Sequence, residues 1–545
     1  MTGPEEEEVL CHISSLVGSQ SRVNMTDTVS TGSVSDDRTH ASFSPQNALP
    51  QILFKENYIT SKHWTVVIVG AGVAGLAAAQ RLMEGGCNSV LVLEAQDHPG
   101  GRIHTMNFGD GVLELGAQWV HGEKGNPLFE YAQNMDILSD PRTEYSVEAR
   151  GLFYSETAEQ VPEIVVDETL MALENIKENI YKMFSPTESD NILSSSASVG
   201  DFFKQKFEMF LEECGDLPHV QAWRRGIYEW FLKYELTENA CNSLNDVSCC
   251  GFAEWTDCPG NYLINFKNGF QSVVKSLSKD ISSEQLCLSK PVSCIHWQET
   301  YEGKELPTVT VECSDGDMLC ADHVILTMSV GYLKQHNQTL FSPPLPDRKQ
   351  ELLTHLGFGS VEKIFLVFDT PFWSDSDLGF QLVWTSNTEA SSEWVRGIRG
   401  FDTVKGHSNV LLGWISGKDA ELMQTLGEEE VKIKCAFLLR MFLGRSDIPL
   451  PRRVIRSNWQ KNQYICGAYS YRSVSYTKLG FRTSILAEPL YCTLLNKEVP
   501  EKWPVVLFAG EATDQDFFSS AHGSLRSGWR EADRLLSLKR YLPIK

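Results

Sequence analysis

GAGVAG at positions 70–75 stands directly behind a short β-branched run, TVVIV (65–69), and ahead of a stretch through Ala77, Ala78, Ala79, Leu82 and Met83. Glycines at this spacing suit a diphosphate. Gly70 allows a tight turn, Gly72 lets the backbone approach the anion, and Gly75 lets the following helix pack closely on the strand. The helix N-terminus adds a partial positive charge. A second run, SVLVL (89–93), ends in Glu94, 19 residues past Gly75, where a carboxylate accepts the ribose hydroxyls of an adenosine. A glycine-rich loop alone is an ordinary turn. Strand, G-x-G-x-x-G, helix, strand and acid in this order read as a dinucleotide site. GGRIHT (100–105) follows, and an arginine beside two glycines reaches a diphosphate while the backbone passes close to a ring system.

Other residues carry chemistry with two open readings each. His121 follows a strand-like run; an imidazole accepts an amine hydrogen bond or takes its proton, or it is a hydrogen-bonded structural group. Lys363 opens the apolar run 364–368. Its stem either lies along the strand with the ammonium in water, or the ammonium is buried and serves as a base or a water anchor. Trp459 and Tyr469 either pack or offer flat faces to methylenes and cations.

The elements that must hold these residues alternate. From Trp64 onward apolar strands and amphipathic helices follow one another, which predicts an α/β protein. Residues 165–240 read as helical, with apolar positions three and four apart around Ile180, Met209 and Trp230. Residues 308–313, 363–368, 410–415 and 505–508 have strand composition, and Leu525, Ala532, Leu535 and Leu536 give one helical face starting near His522 and Gly523. Residues 1 to about 60 are rich in Ser, Thr, Asp and Gly and read as a disordered tail, and 185–198 as a surface loop.

At 545 residues, the chain has room for two to four units of ~150 residues. The net charge of −23 argues against nucleic acid and suits a polycationic ligand. The fourteen cysteines include no C-x-x-C, and Cys241, Cys249, Cys250 and Cys258 lack zinc-like spacing, so neither a metal nor a disulfide framework is expected. Four consecutive glutamates (5–8) stand where a secretory signal carries positive charge, and no 18-residue apolar run occurs. The chain therefore reads as soluble and intracellular, with no membrane partner and its two sequons unused. The last tripeptide, Pro543-Ile544-Lys545, is not an SKL-type address, so the expected compartment is cytoplasmic, with peroxisomal the alternative.

The GGR segment matches the G-G-R-x-x-[S/T] extension of a flavoprotein superfamily that includes the amine oxidases. ELGAQWVHG (114–122), FAEW (252–255), VEKIF (361–365), GAYSY (467–471), GEAT (510–513) and AHG (521–523) then occur in the order seen in animal polyamine oxidases. The chain resembles that family, which comprises spermine oxidase and acetylpolyamine oxidase, from about Trp64 to Leu538. The resemblance implies a Rossmann-type FAD-binding domain assembled from residues 63–135, 256–330 and 490–545. A substrate domain with mixed sheet and helices would come from 136–255 and 331–489, with 1–62 left as the tail. It implies cofactor contacts from Gly70, Gly72, Gly75, Glu94, Gly101, Arg102, Gly116, Ala117, Gln118, Trp119, Val292, Trp459, Glu511, Ser520 and Ala521. Glu511 would meet the diphosphate or sugar, and the helix after it would aim its N-terminus at the pyrimidine edge of the flavin.

The same resemblance makes Lys363 and His121 the catalytic candidates. Lys363 would hold a water beside the flavin, and His121 would lie in the substrate tunnel with Tyr469 and Ser520. Ala468 stands where monoamine oxidases carry a cysteine bonded to the flavin, which implies noncovalent FAD. Ser519, Ser520 and Ala521 replace a second cage tyrosine, as small residues do in the animal branch, which normally has threonines. Asp246, Ser248 and Glu362 match positions that are acidic or hydroxylic in spermine oxidases, whereas SGWREADRLLSL (527–538) reads closer to the acetylpolyamine branch. The expected reaction oxidises a secondary amine of spermine, acetylated spermine or acetylated spermidine with molecular oxygen, giving a shorter polyamine, an aminoaldehyde and hydrogen peroxide. Asp246 and Glu362 tilt the expectation towards free spermine. The alternative is a catalytically weak flavoprotein scaffold related to histone demethylases; the GGR extension excludes an NAD dehydrogenase.

Overall fold

Val66, Val67, Ile68 and Val69 are all buried because both faces of their strand are covered. Val66 and Ile68 pack with Ala74, Ala77 and Ala78 of the following helix, while Val67 and Val69 lie on the opposite face of the sheet beside Val324 and Leu326 of the neighbouring strand. The computed structural model describes residues 59–538 except 140–148, 150, 185–196, 304–305, 387–392 and 498. The strand begins at Ile59, inside the segment read as tail; the remainder of that tail (1–58), most of the 185–198 loop and the last tripeptide lie outside the described residues.

Five parallel strands form the centre of a ten-stranded sheet, in the order Glu501–Phe508, Met318–Leu326, Ile59–Val69, Val90–Leu93 and Leu286–Cys287. Val309–Cys313 and Val292–His296 extend it antiparallel, with Phe341–Ser342 beyond them, and Leu490–Leu494 pairs with Glu501–Phe508. Helices Val73–Glu84 and Ala521–Leu536 pack against each other under this sheet. A Cβ on Gly528 would meet the Ala74 carbonyl oxygen at 2.2 Å, so glycine there permits the close approach.

The second sheet is mixed. Its six strands run Arg453–Arg456, Val361–Val367, His407–Ser416, Gly400–Val404, Gly379–Val383 and Leu152–Ser155, with only the last pair parallel. Val361–Val367 is buried at every position. Helices Glu163–Phe184, Val199–Cys214 and Pro218–Asn239 share one apolar cluster, which also takes in Phe153 and Val383 of this sheet. The molecule is thus the expected α/β protein with two sheet-and-helix bodies. The carboxyl ends of the parallel strands deliver Gly70, Glu94, Thr327 and Gly510 to one crevice, the usual ligand position in such sheets. Among the described residues no helix is long and apolar enough to cross a membrane.

Candidate active site

The crevice is a cavity of about 820 Å³. Helix Val73–Glu84 opens on it at Gly72 with no side chain capping its first N–H groups, which leaves a donor-rich end for an anion. Gly70 takes φ +107°, and a Cβ there would lie 2.5 Å from Thr327 Oγ1. Gly75 is not on the cavity wall. Its place is behind the turn, where a Cβ would meet the Gly70 carbonyl oxygen at 1.9 Å. Buried Glu94 accepts hydrogen bonds from the N–H groups of Ala71 (2.7 Å) and Gln96 (2.9 Å), and burial raises its carboxyl against their pull. Each oxygen retains a lone pair for a ribose hydroxyl. An open helix end, side-chain-free walls and a positioned carboxylate fit a dinucleotide cofactor.

Arg102 ties three chain segments together at the cavity wall. Its Nη1 donates to the Ala468 carbonyl (2.7 Å) and to Glu511 Oε1 (3.1 Å). The other Glu511 oxygen accepts from Ser470 Oγ (2.7 Å) and the Ser519 N–H (2.9 Å). Glu511 thus lines the cavity but spends its acceptors on the protein, holding the Ser519–Ser520 turn. From that turn helix Ala521–Leu536 starts, capped by Ser520 Oγ accepting from the Gly523 N–H at 3.0 Å. His522, in its first turn, lines the cavity with a buried Nε2 that has no hydrogen-bond partner, and burial pushes its imidazole down to about 3.

Lys363 is the third residue of the strand Val361–Val367 and points into the cavity. Its ammonium donates to the carbonyls of Glu114 (2.8 Å) and Gly116 (2.9 Å) and to Gln118 Oε1 (2.7 Å). It also lies 4.6 Å from the Trp414 ring centroid. Three acceptors match the three N–H bonds of the ammonium. His121 shares a hydrogen bond between Nδ1 and the Tyr262 carbonyl (3.0 Å); a carbonyl only accepts, so Nδ1 carries the proton. Burial pushes this imidazole down to about 4, which leaves it neutral with Nε2 as an acceptor. Trp459 donates from Nε1 to the Leu115 carbonyl (3.0 Å), and the Tyr469 hydroxyl donates to the Thr237 carbonyl.

One cavity thus collects His121, Lys363, Tyr469 and every sequence-derived cofactor residue except Gly75: Gly70, Gly72, Glu94, Gly101, Arg102, Gly116, Ala117, Gln118, Trp119, Val292, Trp459, Glu511, Ser520 and Ala521. Three expected substrate contacts are not on its wall. Glu362 neighbours Lys363 in a strand, and successive side chains point to opposite faces, so both do not reach one tunnel. Its carboxylate instead accepts from Ser457 Oγ and from the N–H groups of Trp459 (2.7 Å) and Gln460 (3.2 Å), and burial pushes it up to about 7. Ser248 is fully buried and caps the helix Cys249–Phe252, while Asp246 is exposed on a short turn before it.

The cavity has its own acids. Glu174, Lys177, Glu178 and Tyr181 face it from helix Glu163–Phe184, Glu235 and Glu238 from helix Pro218–Asn239, and Asp257 from the segment beyond. Tyr262 also lines this arm, its ring 4.5 Å from that of His121. Burial pushes the Glu174 carboxyl up to about 7 against the pull of Lys177. The only sequence signal was spacing: positions 174, 177, 178 and 181 fall on one helical face, which by pattern alone reads as a solvated surface.

A family profile described as flavin containing amine oxidoreductase matches residues 73–536. The human peroxisomal N(1)-acetyl-spermine/spermidine oxidase is 33% identical over 497 residues, covering 87% of this chain and 95% of that protein. The probable polyamine oxidase 5 of Arabidopsis thaliana is 30% identical over 551 residues, covering 87% and 98%. Among solved structures, putrescine oxidase bound to putrescine superimposes with a TM-score of 0.63 at 19% identity, covering 87% of this chain and 99% of that one.

Proposed function

The chain belongs to the flavin containing amine oxidoreductase family, and from that premise we propose that it is a polyamine oxidase acting on a secondary amine of N-acetylated spermine or spermidine, with free spermine as a poorer substrate. The cofactor is FAD, bound without a covalent link. Bound FAD supplies the two-electron acceptor for a hydride leaving the carbon beside nitrogen, and molecular oxygen restores it with release of hydrogen peroxide. Gly70, Gly72, Arg102 and the open end of helix Val73–Glu84 would hold its diphosphate, and Glu94 its ribose. The remaining work falls to side chains. The reacting nitrogen must be neutral for its lone pair to assist, and His121, itself neutral, accepts a hydrogen bond from that amine through Nε2. Lys363 keeps the segment 114–118 against the cavity, so the substrate meets a wall of fixed shape. Tyr469 and Trp459 line the methylene path.

The observation that carries this reading is the acidic arm: one cavity joins a diphosphate cradle to a wall where five carboxylates stand against the single Lys177, a net negative lining suited to a chain with spaced cations. With Asp246 and Glu362 off the wall, the residues that tilted the expectation to free spermine no longer support it. The names of the human and Arabidopsis relatives support a polyamine, and the human one supports an acetylated polyamine and a peroxisomal compartment over the cytoplasmic expectation. The products would be a shorter polyamine, an aminoaldehyde and hydrogen peroxide. The scaffold alternative gains no observation of its own. The test is anaerobic addition of N1-acetylspermine to the FAD-loaded protein: bleaching of the visible flavin band supports the reading, and an unchanged spectrum with both acetylated and free polyamines refutes it.

A further inference from the structure

Lys177 is a cation placed where a substrate cation would be expected. Its Nζ lies 2.6 Å from Glu235 Oε1; the glutamate is fully buried and the lysine side chain is 18% exposed. Nζ also sits 5.8 Å from the ring centroid of Phe252, which packs on Tyr181 at 5.3 Å, and all four of these residues line the cavity. A buried carboxylate with aromatic walls is what holds a substrate ammonium in a desolvated site. Here the protein fills that place itself.

We infer that Lys177 is a specificity-determining residue: its resident ammonium occupies the Glu235 position of the acidic arm and selects substrates whose end in that arm is uncharged. This rests on the polyamine reading of the same cavity. An ammonium approaching Glu235 meets a like charge at contact range in a site with little water, whereas an acetamide end loses nothing to it and finds hydrogen-bonding partners among the same groups. Burial disfavours charge on Lys177, but Glu235 and Glu174 together outweigh it and hold its pKa well above the ordinary lysine value, so the cation persists at neutral pH. Glu174 and Asp257 also face the cavity and can meet the remaining charges of the substrate. The arm then accepts a polycation while discriminating against one charge too many.

The experiment compares kcat/KM for spermine and N1-acetylspermine, using the FAD-loaded full chain and its variants. The wild type should favour N1-acetylspermine. Lys177→Gln frees Glu235 for a substrate ammonium, and the spermine-to-acetylspermine ratio should rise about tenfold or more, the range of one charged hydrogen bond. Lys177→Arg keeps the charge and should keep the wild-type ratio. Adding Glu235→Gln to Lys177→Gln removes the freed receptor and should return the ratio towards the wild-type value. A purely structural ion pair would slow both substrates alike, so an unchanged ratio in Lys177→Gln overturns the inference. Should that variant fail to fold with Glu235 unpaired, the wild-type ratio alone decides, because preference for spermine overturns it. If neither polyamine is oxidised by the wild type, the polyamine reading itself has failed, a result distinct from an unmoved ratio.

Discussion

Lys363→Met removes the ammonium and keeps most of the stem. The stem continues to pack beside Trp414, whose ring centroid lies 4.6 Å from the present Nζ, so no large void opens. Three hydrogen bonds disappear, those to the Glu114 carbonyl, the Gly116 carbonyl and Gln118 Oε1. The Gln118 amide can turn elsewhere; the two carbonyls are left facing a thioether. Each buried acceptor without a donor costs about 1–3 kcal/mol, partly offset by no longer burying a charge, so a loss of about 2–4 kcal/mol in stability is expected. The larger effect is on rate. Residues 116–119 line the cavity and lose their fixed position, and a displacement of about 1 Å at a reacting wall costs ~100-fold. The diphosphate cradle and Glu94 are untouched, so FAD should stay bound. The assay is anaerobic stopped flow with N1-acetylspermine, alongside the flavin-to-protein absorbance ratio. A wild-type rate of flavin reduction would refute the argument. Loss of FAD would also refute it, by moving Lys363 from the reacting wall to the cofactor's seat.

Three further outcomes follow from particular contacts. Glu362→Gln should leave the spermine-to-acetylspermine ratio unchanged while lowering thermal stability by about 1–3 kcal/mol, because the carboxylate organises the turn at Ser457, Trp459 and Gln460; calorimetry and steady-state kinetics check both. Glu174 is raised to about 7, so as pH falls through that value it takes a proton and stops attracting a cation; KM for a polyamine should rise in the wild type over that range relative to Glu174→Gln, and parallel pH profiles would contradict this. Because Ala468 offers no nucleophile, acid precipitation should release all flavin to the supernatant, and fluorescence remaining on the denatured chain would contradict it.

The nucleotide end was legible because its logic is local. Three glycines, the strands on either side and Glu94 all fall within residues 65–94; the steric need for Gly70 and Gly75 and the hydrogen-bonded seat of Glu94 survive into the fold. Lys363 was legible as a residue but its neighbour was not: period-two alternation alone separates Glu362 from the lysine's face, and reading both into the tunnel ignored the pleat. Asp246 and Ser248 looked like substrate contacts by position, yet one is exposed on a turn and the other caps a short helix. The acidic arm was hidden for the opposite reason. Glu174, Lys177 and Glu178 have the pattern of a solvated helix face, and only the packing of two long helices and the 257–262 segment turns Glu174 and Lys177 inward while Glu178 stays at the exposed rim. Charge at helical spacing carries no sign of what will cover it.

The central claim, a flavin and a polycation receptor sharing one cavity, is tested most directly by mixing the FAD-loaded protein anaerobically with N1-acetylspermine and following the visible flavin band. The account predicts bleaching at a rate that saturates with substrate, followed by recovery of the band and release of hydrogen peroxide when oxygen is admitted. A flavin that stays oxidised in the presence of acetylated and free polyamines, while an amine with a single nitrogen reduces it, would contradict the account.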